Sequence, residues 1–143
     1  MPAYSPEILS TPDEIGDVLA TDILAAIAAA RAEGKLFLLG CPSGRSPKPV
    51  YEAMARKAAA ANLDLSNLVL VMMDEYLGGG EDGLGLCPPE AHNSCRRFAE
   101  HDIRQRLNAG INAAHQVPKE HVWFPDAADP RAYDARIAAA GGV

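Results

Sequence analysis

Val69-Leu70-Val71-Met72-Met73-Asp74-Glu75-Tyr76 is the stretch on which the fold turns. A run of apolar, strand-forming residues goes straight into two carboxylates. Strands buried on both faces of a parallel sheet read as continuous hydrophobic runs of this kind. In an open α/β sheet, ligands bind in the crevice beyond the carboxyl ends of the strands. The pattern therefore puts Asp74 where chemistry is usually done. A second apolar run, Leu36-Phe37-Leu38-Leu39, ends in Gly40-Cys41-Pro42-Ser43-Gly44-Arg45-Ser46-Pro47. That loop has the composition of a phosphate cradle.

The flanking sequence supplies the helices. Thr11-Pro12-Asp13-Glu14 is a helix start, in which Thr11 caps, Pro12 suits the first helical position and Glu14 completes a capping box. Ile15, Leu19, Ile23 and Ile27 recur every four residues, with Val18 and Ala26 beside them. This predicts an amphipathic helix to about Glu33, stopped by Gly34. Ser46-Pro47 repeats the cap-and-proline signal and opens a helix through about Ala61; Pro49 falls in its first turn and need not break it. After the strand Leu68–Met73, a Gly-rich loop from Gly78 to Ala91 leads to a helix from about Asn93 to Leu107, capped by Asn93 or Ser94. Val122-Trp123-Phe124 reads as a short strand with Trp123 in the core. Asp129-Pro130 starts a last helix, which ends at Gly141-Gly142.

Strands alternating with helices predict an α/β fold with a mostly parallel sheet and helices on both faces. Gly141-Gly142-Val143 reads as a helix stop followed by the first residue of another buried strand. Residues 1–143 are therefore expected to be the front part of one longer, truncated domain.

Composition narrows the partners. The 143 residues suffice for one domain with a core of its own. The net charge of −6 disfavours a general nucleic-acid binder, which would carry a basic stripe. It leaves room for one phosphate in a local pocket, where a loop and a single Arg suffice. The apolar helix is interrupted by Asp22, Arg31 and Glu33 and the strand runs are short, so no membrane span is expected. Met1 to Ser10 show no basic start or apolar core, hence no secretory signal. Cys41, Cys87 and Cys95 form an odd set without a CxxC pair, which fits reduced thiols in a cytoplasmic protein. Cys87, His92 and Cys95 lack a fourth ligand and a zinc spacing, so no metal is expected.

A turn between a strand end and a helix start presents unpaired N–H groups, and the helix dipole adds partial positive charge there. Ser43, Gly44 and Ser46 are small enough for a phosphate to approach the backbone. Ser43 and Ser46 add hydroxyl donors and Arg45 adds charge. The plainer reading is a β–α turn with Ser46 as helix cap. The spacing is not that of a Walker A loop. Asp74 and Glu75, if both extended, point to opposite faces, so one is free for chemistry while the other caps or braces the loop. Tyr76 reads equally as pocket wall or core. His92 is a crevice-lining candidate. His101, His115 and His121 are expected at the surface, and Arg96 and Arg97 on a solvated helix face.

The order of Leu39-Gly40-Cys41-Pro42-Ser43-Gly44-Arg45-Ser46-Pro47, Met73-Asp74-Glu75-Tyr76 and His92-Asn93-Ser94-Cys95 resembles the glucosamine-6-phosphate deaminase family, whose close relatives are the 6-phosphogluconolactonases. The resemblance runs from about Thr11 to Val143. Tyr76 favours the deaminase branch, since the lactonase branch usually carries Asp-Glu-Arg at this strand end. The resemblance implies a three-layer α/β/α Rossmann-like fold. It also implies an aldose–ketose isomerisation with loss of ammonia, yielding fructose 6-phosphate. By this likeness Asp74 is the base that moves a proton between C2 and C1 of the open-chain amino sugar, work that suits a carboxylate whose pocket lifts its pKa toward neutrality. The Ser43, Gly44, Arg45 and Ser46 loop holds the phosphate, and Glu75, Tyr76 and His92 complete the expected substrate contacts. No metal or organic cofactor is implied. Family members often self-associate.

Three departures accompany the resemblance. Arg45 stands where the family loop has a small residue. The segment between Tyr76 and His92 is longer and more Gly-rich than usual, which reshapes the entrance. The chain also stops before the family's Asp-Gly-His-Ile-Gly-Phe-Asn-Glu-Pro region, which supplies the histidine that assists ring opening. The chain alone is therefore expected to lack turnover. Two other readings stay open: a 6-phosphogluconolactonase or related sugar-phosphate isomerase, and a non-catalytic sugar-phosphate sensor.

Overall fold

A central strand with no polar face organises the molecule. The computed structural model describes residues 5–80 and 83–143, so Met1 to Tyr4 of the N-terminal stretch and Glu81 and Asp82 of the Gly-rich loop lie outside the described residues. In chain order the elements are α1 (Pro12–Ala32), β1 (Phe37–Cys41), α2 (Lys48–Ala61), β2 (Leu68–Met72), β3 (Leu77–Gly80), β4 (Gly83–Leu86) and α3 (Cys95–Phe98). A π-helical stretch (Ala99–Arg104) then continues into α4 (Gln105–Asn108), followed by β5 (Val122–Trp123) and α5 (Pro130–Ala139).

β2 lies between β1 and β5, and all three are parallel. Phe37 pairs with Leu68 and Cys41 with Met72 on one side; Leu70 pairs with Val122 on the other. Every residue of β2 is at most 4% exposed. Its side chains alternate: Leu68, Leu70 and Met72 enter one core, Val69 and Val71 the other. The first core is roofed by α1, α2 and the helical run 95–108, through residues such as Ile27, Met54, Ile103 and Leu107. The second is covered by α5 through Tyr133, Ile137 and Ala140. Helices on both faces of a parallel sheet give the three-layer α/β/α arrangement expected from the sequence.

The helices differ in detail from the sequence reading. Thr11 caps α1 by accepting the Glu14 N–H at 3.1 Å, but the Glu14 carboxylate reaches the N–H of Ser10 at 2.8 Å, one residue beyond a standard capping box. The buried face of α1 is Gly16, Ala20, Leu24 and Ile27, whereas Ile15 and Leu19 remain 43% and 44% exposed. Periodicity alone puts the bulky residues inward. The packing instead uses the small ones, because α2 comes so close that a Cβ on Gly16 would sit 2.5 Å from the Pro49 carbonyl oxygen. Ile15, Leu19 and Ile23 line an open groove beside Leu39 and Val50.

Strand ends move by one or two residues. β1 is Phe37–Cys41 rather than Leu36–Leu39, and β2 ends at Met72, leaving Met73 67% exposed. α2 starts at Lys48 after Pro47 with no side-chain cap, so Ser46 is not the cap. The expected Gly-rich loop contains an antiparallel hairpin, with Leu77 opposite Leu86 and Gly80 opposite Gly83. His101 is exposed, but His115 and His121 are not free surface residues. Their Nδ1 atoms lie 3.1 Å and 3.0 Å from the carbonyls of Asn62 and Leu68, which fastens the segment before β5 to the end of α2 and to β2.

α5 is capped by Asp129, whose carboxylate accepts the Ala132 N–H at 3.2 Å. The Tyr133 hydroxyl bridges the carbonyls of Met72 and Trp123, at 2.8 Å and 2.9 Å, and so ties the helix to the ends of two neighbouring strands. Trp123 is core, as expected, and the Arg136 guanidinium stacks 3.8 Å above its ring. Gly141 and Gly142 then take φ of +105° and +87°, and Val143 comes up beside Gly40 of β1, 73% exposed and not in a strand, so it does not begin a buried strand as expected.

The close crossing of α1 and α2 fixes the sign of one substitution. Gly to Ala inside an exposed helix ordinarily stabilises by roughly 1 kcal/mol. Gly16→Ala should instead destabilise by about 1–3 kcal/mol, because backbone cannot yield as a flexible side chain does. Urea unfolding midpoints of the two proteins measure the difference; a rise in midpoint would refute the packing account.

Candidate active site at the carboxyl ends of β1 and β2

The loop after β1 and the residues after β2 emerge at the same edge of the sheet, because the strands are parallel and in register. Gly44 adopts φ +100°, a conformation that favours glycine, while a Cβ there would meet nothing within 4 Å. The residue is thus needed for backbone shape and not for room. The Tyr51 hydroxyl donates to the Pro42 carbonyl at 2.8 Å and fastens the loop to α2. Among the described residues, no acceptor pairs with the N–H groups of Ser43, Gly44, Arg45 or Ser46. Free donors ahead of a 14-residue helix form an anion-accepting surface.

A pocket of about 210 Å³ brings this loop against the third sequence motif. Its walls include Ser43, Gly44, Tyr76, His92, Ser94 and Cys95. Four residues named from the sequence, Ser43, Gly44, Tyr76 and His92, therefore meet. Arg45 is exposed and outside the wall, and Ser46 lines the neighbouring apolar groove with Ser43. A larger cleft of about 700 Å³, bordered by Arg96, Arg97, Lys119 and Phe124, holds none of the expected site residues. There the Arg96 guanidinium lies 5.7 Å from the Phe124 ring centre, so Arg96 is not simply a solvated helix residue.

The two carboxylates take different tasks. Asp74 is exposed, and its polar contact is the Cys95 thiol, 3.8 Å from Oδ1. Glu75 turns the other way. Its carboxylate accepts the N–H of Cys95 at 2.8 Å, of Arg96 at 2.9 Å and of Tyr76 at 2.9 Å, and the Ser94 hydroxyl at 2.9 Å. Both oxygens are taken up by the start of α3, so the residue expected among the substrate contacts is engaged as the brace. Burial pushes the Glu75 pKa up, but the hydrogen bonds from Arg96, Cys95, Tyr76 and Ser94 outweigh it and hold the carboxyl below its ordinary 4.5. Ser94 caps the helix, accepting the Arg97 N–H at 3.2 Å.

Cys95 was not singled out as a site residue by the sequence. It is 3% exposed, and its sulfur lies 3.7 Å from the Ser43 hydroxyl as well as near Asp74. Burial raises its pKa, and the Asp74 and Glu75 charges add to that, while Ser43 opposes it. The thiol is therefore a neutral bridge between loop and carboxylate. The helix it opens passes into a π-helical stretch, Ala99–Arg104, a geometry frequent near functional sites. Among the described residues, no group of three or more His, Cys, Asp or Glu side chains could hold a metal ion.

No family model matches the chain. Its sequence is 31% identical over 136 residues to a glucosamine-6-phosphate deaminase of Arthrobacter sp. (strain FB24), covering 95% of this chain and 47% of that protein. The structure resembles that of a monomeric glucosamine-6-phosphate deaminase, with a TM-score of 0.71 and 18% identity, over 94% of this chain and 50% of the other. It also resembles a 6-phosphogluconolactonase from Neisseria gonorrhoeae, with a TM-score of 0.53 and 18% identity, over 80% of this chain and 48% of the other. The chain spans about half the length of the curated relatives it matches.

The brace makes stability depend on pH in a defined direction. A carboxyl whose folded pKa is depressed stabilises the fold above its unfolded value and loses that contribution as pH falls through the folded one. At pH 7, Glu75→Gln should cost about 1–3 kcal/mol, the scale of hydrogen bonds to a charged group. The gap between variant and parent should close as pH drops below 4.5, the group's ordinary value. Urea unfolding of both proteins at pH 7 and pH 3 reads this directly, and a gap that widens on acidification contradicts the assignment.

Proposed function

As a homologue, over nearly its whole length, of glucosamine-6-phosphate deaminases, this chain is, we propose, the phosphate-holding and proton-transferring portion of an amino-sugar-phosphate deaminase and isomerase. The observation that carries the reading is the single pocket in which the donor-rich Ser43–Gly44 turn faces Tyr76 and His92, with Asp74 joined to it through Cys95.

The residues divide the work as follows. The N–H groups of the loop and the Ser43 hydroxyl donate to the phosphate of the substrate, and Arg45 adds positive charge nearby. Anchoring the phosphate fixes the far end of the six-carbon chain and limits where C2 can lie relative to Asp74. The Asp74 carboxylate takes the proton from C2 of the open-chain amino sugar and returns one to C1. The nitrogen at C2 then leaves as ammonia on addition of water, and fructose 6-phosphate remains. Tyr76 and His92 wall the pocket. Glu75 touches none of this chemistry and holds the frame. Tyr76, where the lactonase branch carries Arg, supports the deaminase arm. Three buried free cysteines fit a reducing, cytoplasmic setting, and no described helix is long and apolar enough to cross a membrane.

Ammonia release from glucosamine 6-phosphate, by protein expressed from the whole reading frame that contains this chain, is the direct test. Asp74→Asn should lower the rate by about 10²–10⁴, the usual contribution of a positioned base. Stabilisation by inorganic phosphate in thermal melts should persist in that variant, because the loop is untouched. Lactone hydrolysis without ammonia would move the protein to the lactonase branch. Stabilisation with neither product would make it a sensor.

A further inference from the structure

We propose that Glu75 is a positioning residue that couples the phosphate loop to Asp74, acting through the Cys95 thiol. The inference rests on the deaminase reading for what is being positioned; the coupling itself does not need it.

Four donors converge on one carboxylate. Two come from the peptides of Cys95 and Arg96, one from the Ser94 hydroxyl and one from the peptide of Tyr76. A single bond would orient a side chain. Three of these bonds cross from the start of α3 and lock it to the end of β2, while the fourth, from the adjacent Tyr76 peptide, fixes the carboxylate on its own segment. The backbone of Cys95 is thereby held, and its sulfur is placed 3.7 Å from the Ser43 hydroxyl and 3.8 Å from Asp74 Oδ1. Both separations are long but within reach of a hydrogen bond that involves sulfur. With the S–H donating to the Asp74 carboxylate, the Ser43 hydroxyl is the donor to sulfur. A phosphate that claims the Ser43 hydroxyl removes that donor, and the sulfur and the Asp74 carboxylate must readjust. The message travels because Cys95 cannot drift: with its backbone fixed by Glu75, a change at the loop is expressed at the thiol and at Asp74. Without the lock, the helix start would absorb it.

The test uses the thiols as reporters. In the 143-residue chain, iodoacetamide labelling followed by peptide mapping gives separate rates for Cys95 and Cys41. Cys41 is 0% exposed within β1 and reports general loosening of the fold. Glu75→Gln should speed Cys95 labelling by about tenfold or more beyond any acceleration at Cys41, which follows the loss of global stability, and the excess should persist once rates taken across pH are corrected for the thiolate fraction, the pattern of local rather than global opening. Inorganic phosphate should slow Cys95 labelling in the parent and lose that effect in Glu75→Gln. Ser94→Ala, which removes one of the four donors, should give a smaller change of the same kind. Equal acceleration at Cys41 and Cys95, or none at Cys95, would overturn the proposal.

In the protein from the whole reading frame, Glu75→Gln should lower kcat on the order of 10²-fold and raise KM far less, because a misplaced base costs the chemical step. Cys95→Ser keeps a bridging donor and should retain more of kcat than Cys95→Ala. Should the parent release no ammonia while its Cys95 still answers to phosphate and to Glu75→Gln, the coupling stands and the deaminase reading falls. Full turnover in Glu75→Gln with unchanged labelling removes the coupling and leaves the deaminase reading intact.

Discussion

A strand that is apolar on both sides has to be covered on both sides. β2 imposes that constraint, and most of the molecule answers it. One cover is built by α1, α2 and the helical run 95–108, the other by α5. The parallel pairing with β1 and β5 satisfies the backbone of β2 in a place water cannot reach. The same constraint explains where polarity begins. Charged side chains cannot enter a strand buried this deeply without a partner, so Asp74 and Glu75 stand just beyond the exposed Met73, where the chain has left the core. The chemistry-bearing edge of the sheet follows from burial before any substrate is considered.

How much of this the sequence discloses depends on what each signal measures. The run Leu68–Met72 is legible because a doubly buried strand needs every position apolar. The inward face of α1 is less so. Hydrophobic periodicity ranks Ile15 and Leu19 above Gly16 and Ala20, whereas a close helix crossing selects for lack of bulk. The β3–β4 hairpin is hidden by its glycines, which carry no strand preference and are held by pairing alone. The π-helical stretch leaves no trace in composition, since the same residues suit an α-helix.

The site divides along the same line. Ser43, Gly44 and Asp74 can be read from position, as they follow strands and precede a helix or a turn. Glu75 can be named from the sequence, but its task cannot, because its partners are backbone groups about twenty residues further on. The sequence offers Cys95 as a reduced thiol and as the last residue of the His92–Cys95 motif, with no site role of its own. Its meaning comes from a contact with Ser43 across 52 positions. Arg45 shows the opposite failure: a cation in a phosphate-loop sequence invites a contact role, yet it stands outside the pocket wall. Residue type states what a side chain can do, and tertiary geometry decides whether it is in a position to do it.

Trp123 is the only tryptophan of the chain, and it belongs wholly to the α5 side of the sheet. Its indole N–H donates to the Glu120 carbonyl at 3.1 Å, and a guanidinium from α5 covers its face. The protein consequently carries one optical reporter with a one-sided view. Detachment of α5 strips the cation from the ring, lets in water and shifts the emission to longer wavelength. Loosening of α1 or α2 on the opposite side leaves the indole in the same surroundings. Intrinsic fluorescence therefore watches the α5 side alone while far-ultraviolet dichroism sums over every helix, and a disagreement between their melting curves tells whether the α5 layer lets go before or after the rest.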